Sequence, residues 1–225
     1  MDIHRPKPTE NWREFAKEVG VIVLGVCIAL AGEQAVEWLH WSHEITETRG
    51  ALDKEVAYDL GAMRMRQQEA VCIDRRLAQL RVLLRRPAGP ALGARPPLGQ
   101  PQLWRPHTNV WQAALAGQVA ARMPLQMRLD YAQLYDGFQW YGQKAADESE
   151  AWGVLAELDD VDVLAPEDVA ALRQARSRAQ VASDKMTGNL PGILAFGARV
   201  GVRPAVMQPS ARTEASLKAL CAPST

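Results

Sequence analysis

The chain is poor in the residues that announce a chemistry. Among its 225 residues are three cysteines and four histidines, and neither sign of charge is in excess, since 26 Lys and Arg balance 26 Asp and Glu. Three cysteines are too few for a disulfide scaffold and lack the paired spacing of a zinc site. Zero net charge excludes the basic surface expected of a nucleic-acid binder. There is no Gly-x-Ser-x-Gly elbow, no P-loop, no Gly-x-Gly-x-x-Gly after a strand and no His-Glu-x-x-His, so no motif indicates an enzyme, a metal or another cofactor. Low-complexity and collagen-like repeats are missing too, and 48% hydrophobic residues is too many for a disordered chain. What remains is a length sufficient for one domain with its own core and an appendage.

The most informative stretch is Val19 to Gly32, fourteen residues without a charge. As a helix it spans about 21 Å at 1.5 Å per residue, short of a bilayer core of about 30 Å. Lys17, Glu18 and Glu33 extend it by reaching toward headgroups, and the bilayer can thin locally. Trp12 and Phe15 before the run, and Trp38 and Trp41 after it, suit the membrane interface. A buried helix of a soluble protein would carry polar residues at helical spacing, and this run has none. A cleaved signal peptide is the stronger rival because Ala29-Leu30-Ala31 matches a small-x-small cleavage site. Against it stand Asp2, Glu10, Glu14 and Glu18 in the leader. The expectation is therefore a retained anchor, crossing once. Arg5, Lys7, Arg13 and Lys17 precede the run and only Arg49 lies in the eighteen residues after Gly32, which predicts a cytoplasmic N-terminus and, in a bacterium, a periplasmic remainder at the inner membrane.

The string Trp12-Arg13-Glu14-Phe15, Glu18-Val19, Ile22-Val23, Gly25-Val26, Ile28-Ala29-Leu30 and Glu33 resembles the opening of a family of uncharacterised bacterial single-pass inner-membrane proteins. In these a short amphipathic lead runs into an E-V-x-x-I-V-x-G-V-x-I-A-L span and then a helical extracytoplasmic domain. Trp111-Gln112-Ala113-Ala114, Tyr131 to Tyr135 and Trp152 are similar to features of proteobacterial members. The resemblance, firm over about thirty residues, implies location and architecture and carries no catalytic residue with it.

Beyond the run, Ala, Leu, Gln, Arg and Glu dominate and no alternating β pattern occurs, so the fold class expected is all-α: one transmembrane helix continuing into a periplasmic helical bundle of about four helices. The divisions are a cytoplasmic segment 1–18, the transmembrane core 19–32 and a periplasmic domain 33–225. Helical pattern continues from the span to about Arg85, with a break possible at Gly50 or Gly61. Pro87, Pro90, Pro96, Pro97, Pro101 and Pro106 make 87–106 a loop. A second helix is expected from Thr108 to Arg122, a third with Pro124 in its first turn reaching Leu158, and a fourth opening at Ala165-Pro166-Glu167-Asp168 and ending near Gly188. Residues 188–209 read as irregular, and Ser210 or Thr213 as the cap of a last helix ending at Cys221.

Charge comes in blocks: seven acids and two bases in 33–60, nine bases and two acids in 61–106, nine acids and three bases in 107–162, eight bases and four acids in 163–225. Such alternation suits antiparallel helices with complementary faces, or simply solvated faces. The basic block, with Arg64, Arg66, Arg75, Arg76, Arg81, Arg85 and Arg86, could bind an anionic polymer, but it lies with Leu77, Leu80, Val82, Leu83 and Leu84 at helical spacing and reads instead as a basic-rimmed core helix.

Three candidate constellations remain. Cys72 and Cys221 are expected to pair if the domain lies in an oxidising compartment, tying the last helix to the first; the alternative is two buried thiols. Gly25, Ala29 and Gly32 put small residues on adjacent turns of the span, which permits close helix approach in a homodimer or against a partner's span. Glu37, His40, Glu44 and Glu47 share a face just beyond the span; di-iron bundles use Glu-x-x-His but on two helices, so a hydrated, pH-sensitive surface is expected instead. Together these features lead to a non-enzymatic, membrane-anchored accessory or interaction subunit of an integral membrane complex, or of a homodimer. The partners expected are the lipid bilayer and that complex, with no nucleic acid. The alternative is a periplasmic ligand-sensing domain that acts through a partner.

Overall fold

A computed structural model describes residues 12–86, 89, 91–93 and 96–222. The first eleven residues of the expected cytoplasmic segment, with Arg5 and Lys7, and the loop residues Pro87 and Pro90 lie outside the described residues. The fold is all-α. Among the described residues there is no β-strand, only an isolated antiparallel bridge pairing Ala91 with Val163. The elements are α1 (Trp12–Leu83), α2 (Asn109–Ala116), α3 (Val119–Arg122), α4 (Leu125–Ala156), a 3-10 turn (Glu157–Asp159), α5 (Pro166–Val200) and α6 (Ala211–Cys221). The chain forms two compact units, Met1–Glu47 and Thr48–Thr225. Residues 33–47, grouped on sequence with the domain, thus belong to the first unit.

In the first unit the described residues are helical throughout. An 18-residue stretch of α1 has a mean hydropathy of 2.1 with none of it buried, so this helix is long and apolar enough to cross a membrane. Neither Gly50 nor Gly61 interrupts α1.

The second unit is built on the rest of α1 with α4 and α5. Leu52, Val56, Leu60 and Met63, and then Ala70, Ile73, Leu77 and Leu80, recur at three- and four-residue spacing along α1 and are buried, which is the stripe a helix needs to join a core. From α4, Tyr131, Tyr135, Phe138, Tyr141 and Trp152 are buried on one face. Ile73, Leu77, Trp152, Leu155, Leu172 and Ala175 meet in one hydrophobic cluster of α1, α4 and α5.

The direction of α4 departs from the antiparallel arrangement that the charge blocks suggest. Asp53 pairs with Tyr131, Glu55 with Tyr135 and Arg66 with Glu148, so both partners advance together and α4 runs parallel to this part of α1. The Pro-rich loop is the reason. Leu98 N–H donates to Asp159, at the far end of α4, while His107 N–H donates to Asp59 and Val110 N–H to Glu55. The loop therefore returns the chain along α1 before α2 begins. α5 runs the other way, its Arg173 reaching the Leu84 carbonyl and its Ser183 meeting Arg66.

Two boundaries differ from expectation. The helix expected over Thr108–Arg122 is divided at Gly117, which is extended (φ −81°, ψ 176°), with α3 starting at Val119. α5 does not stop near Gly188 but continues through Pro191 to Val200. An interior proline costs a helix about 3 kcal/mol by propensity, and tertiary packing offsets it here. Leu190 is buried, Ile193 packs on Gly137, and Gly197 sits so close to Leu60 that a Cβ there would lie 2.5 Å from Leu60 Cδ1. The true stop is Gly201 at φ 91°, where Val202 N–H bonds Gly197 O at 3.0 Å and Gly201 N–H bonds Ala198 O at 3.1 Å, the two bonds of a left-handed helix end. Pro124 precedes α4 rather than joining its first turn. Ser210 caps α6, its Oγ accepting the Thr213 N–H at 3.2 Å.

Candidate functional site

The residues singled out in the span are exposed. Gly25 and Gly32 have nothing within 4 Å of where a side chain would begin, and Ala29 is exposed with them. Trp12, Phe15 and Trp38 are exposed, with Trp12 and Phe15 rings 5.8 Å apart; Trp41 is half-buried and donates from Nε1 to Glu37 Oε1 at 3.2 Å. Cys27 is a free, exposed thiol. His43 and Glu47 pair at 3.4 Å on the surface. Among the described residues no three His, Cys, Asp or Glu side chains are placed to hold a metal ion.

Cys72 and Cys221 are brought together, with Cα atoms 4.8 Å apart and sulfurs at disulfide distance, across 149 residues. Their neighbours hold α6 in place. The buried Arg76 donates to the Ala219 carbonyl at 2.5 Å and the Ala222 carbonyl at 3.1 Å, filling acceptors that a helix end leaves open. Burial lowers the Arg76 pKa, opposed by the charge of Asp159. Ser216 Oγ donates to the Gln100 carbonyl at 2.9 Å and accepts the Gln100 N–H.

The charged groups inside the second unit are what the sequence reading missed. Arg66, read as part of a solvated basic rim, is buried: its Nη2 lies 2.7 Å from Glu148 Oε1 and 3.2 Å from Ser183 Oγ, and its Nε is 3.3 Å from Glu148 Oε2. Glu69, one turn on, is also buried, and its Oε2 has no hydrogen-bond partner. Burial raises the pKa of both Glu69 and Glu148, against the lowering pull of Arg66. Tyr141, beside them, is pushed up to about 12, chiefly by burial. Arg64, Arg75, Arg81, Arg85 and Arg86 are exposed, as expected of a rim; Val82, grouped on sequence with the core leucines, proves to be exposed as well. The available signal was phase: Asp59, Arg66, Glu69 and Arg76 fall among the apolar stripe positions of α1.

A second polar cluster lies toward the start of this unit. Asp59 is fully buried, accepts the His107 backbone N–H at 3.0 Å and lies 3.0 Å from His107 Nδ1. Burial raises its pKa to about 6, the His107 hydrogen bonds opposing. Tyr135 donates to Glu55 at 2.6 Å and stacks on Trp111, rings 5.3 Å apart and nearly parallel. Burial raises the Tyr131 and Tyr135 pKa values, and Asp53 and Glu55 add to the effect. Every member of this cluster ties the loop and α4 onto α1.

Between α1, residues 204–209 and α6 lies a cleft of about 450 Å³. Its wall includes Met65, Glu69, Met207, Leu217 and Cys221, with the exposed Arg64 and Gln68 at the rim. Gly61 forms one end: Ala205 N–H bonds the Ala57 carbonyl at 2.7 Å, and a Cβ at residue 61 would collide with the Ala205 carbonyl oxygen. No protein-family model matches the chain, and no match is found among curated proteins or solved structures.

Proposed function

We propose that this chain is a non-enzymatic, single-pass protein of the bacterial inner membrane, of the single-span family its opening resembles. The N-terminus lies in the cytoplasm, and a helical bundle of about four helices serves in the periplasm as an interaction or accessory subunit of a membrane complex. The observation that carries the reading is the exposed apolar part of α1: Val21, Ile22, Leu24, Val26 and Ile28 are all more than half exposed. Surface of that kind calls for lipid or another helix. The Lys and Arg bias before the span supports the orientation, and the paired cysteines suit an oxidising compartment. The small residues Gly25, Ala29 and Gly32 suit a contact with a partner's span or a second copy. Purification of the full-length protein in mild detergent, followed by mass spectrometry of what remains bound, tests it. A stoichiometric membrane complex is the expected result, and a lone monomer would overturn the reading.

The cleft beside Glu69 favours a second reading, a ligand-sensing helical domain acting through a partner. Thermal-shift screening of the purified chain against small metabolites separates the two, since an accessory subunit predicts no response.

A further inference from the structure

Glu69 is a buried carboxyl with one oxygen that its surroundings leave without a partner. The residue is 3% exposed, and its buried Oε2 has no hydrogen-bond partner. The nearby guanidinium of Arg66 is engaged by Glu148 through both Nε and Nη2, and by Ser183. Two buried carboxyl groups thus share one buried cation, and the one that is not directly paired belongs to a residue of the cleft wall. A buried carboxylate in this position is completed by a donor that carries positive charge.

The rest of the cleft narrows the choice. Met65, Met207 and Leu217 make an apolar surface, and Val206 at the mouth is 95% exposed, unusual for a valine in a folded segment. Arg64 stands at the rim, exposed, and would repel a dication while holding an anionic group. A plain anion would meet the carboxyl of Glu69, and a neutral apolar molecule would leave Oε2 unsatisfied. The volume of about 450 Å³ falls in the range of small-molecule sites.

We propose that this cleft binds a small aliphatic zwitterion, an α-amino acid or the amino end of a short aliphatic peptide. Its ammonium group sits on Glu69, its carboxylate toward Arg64 and its apolar side chain against Met65, Met207 and Leu217. Oε2 is sealed from water, so side chains of the cleft wall must shift to admit the ammonium, and the unbranched thioether chains of Met65 and Met207 are the adaptable ones in that wall. Burial holds the Glu69 carboxyl above its ordinary range, so binding a cation there favours the ionised form and releases a proton. The assignment deepens the ligand-sensing reading without depending on the chain's orientation in a membrane.

The test uses the full-length protein in detergent with ¹³C-methyl methionine, titrated with L-leucine and L-leucyl-L-leucine and followed by NMR. Saturable shifts of the Met65 and Met207 methyl signals by at least one compound are expected, with the signal of Met127, in α4 and not in the cleft wall, unmoved. Glu69→Gln should weaken binding by about tenfold or more, since a charge-assisted bond is lost. Arg64→Ala alters an exposed side chain and leaves the fold intact; it should weaken binding by roughly threefold to tenfold. Isovalerate, which lacks the ammonium group, should not bind. No saturable shift with either compound, or an affinity that Arg64→Ala leaves unchanged, overturns the proposal. The titration reads binding alone: a bound leucine that no partner responds to would sink the sensing reading and leave the site standing.

Discussion

In the first unit the apolar side chains face outward; in the second, charged ones face inward. Val21 and Ile22 are 71% and 66% exposed, whereas Arg66 and Glu148 are 5% and 3% exposed. A Val or Ile gains about 1.5–3 kcal/mol on leaving water, so the exposed apolar stretch of α1 stands to gain by contact with lipid or another helix. A charge loses on leaving water, so the domain is complete only where each buried charge meets a partner. The first unit is finished from outside, whereas the Arg66–Glu148 pair of the second is finished from within.

The largest way to break this contrast is at the inward charge. Arg66→Met leaves Glu148 buried without its cation and should cost about 3–5 kcal/mol, read by chemical denaturation. Adding Glu148→Leu should restore most of the loss, because two apolar groups need no partner; a double variant as unstable as the single one would show that the pair itself holds the fold. Replacing both Cys72 and Cys221 by Ala should cost about 2–5 kcal/mol by freeing the unfolded chain, and dithiothreitol should lower the wild-type melting temperature while leaving the double variant's unchanged. Equal response of both to the reductant would remove the cross-link from the account.

The outward region is tested by Leu24→Arg. A charge at the centre of a span opposes insertion by about 2.5–3.5 kcal/mol, so the membrane-bound fraction should fall while the domain's denaturation midpoint stays put. An unchanged membrane fraction would argue against the span. The smallest effect concerns Asp59, raised from 3.8 to about 6 by burial. A carboxyl raised on folding stabilises fully below its unfolded value, and that stability is lost as pH rises through the folded one. Between pH 4 and 7 the wild type should therefore lose stability relative to Asp59→Asn, and parallel pH profiles for the two would contradict it.

The parts legible in sequence were those with local causes. Fourteen uncharged residues marked the apolar stretch, Ser210 marked the start of α6, and alternation was missing where no strand formed. The Cys72–Cys221 juxtaposition was legible by elimination, being the two cysteines outside the apolar run. Pro191 with Gly188, Gly192 and Gly197 concealed the end of α5, because the packing on Leu60 and Leu190 that sustains the helix has no local signature. The parallel course of α4 depends on Asp59 and Asp159 catching the loop at its two ends, contacts far apart in sequence. Arg66 was hidden among arginines of the same kind, and only its phase on the helix separates it from the exposed ones.

A bond between Cys72 and Cys221, whose sulfurs lie at disulfide distance, would have a mechanical consequence. It closes a ring over 149 residues of separation that contains α4 and α5. Tension applied between the two chain ends enters at Cys221 and passes straight to Cys72, bypassing everything within the ring. The backbone within the ring is spared that tension, and the covalent path runs through the stretch of α1 before Cys72. Reduction puts the hidden length back in line, about 50 nm of it at ~3.5 Å per extended residue. The redox state of one bond thus decides whether a pull at the C-terminus is felt at α1 directly or dissipated in unravelling the domain.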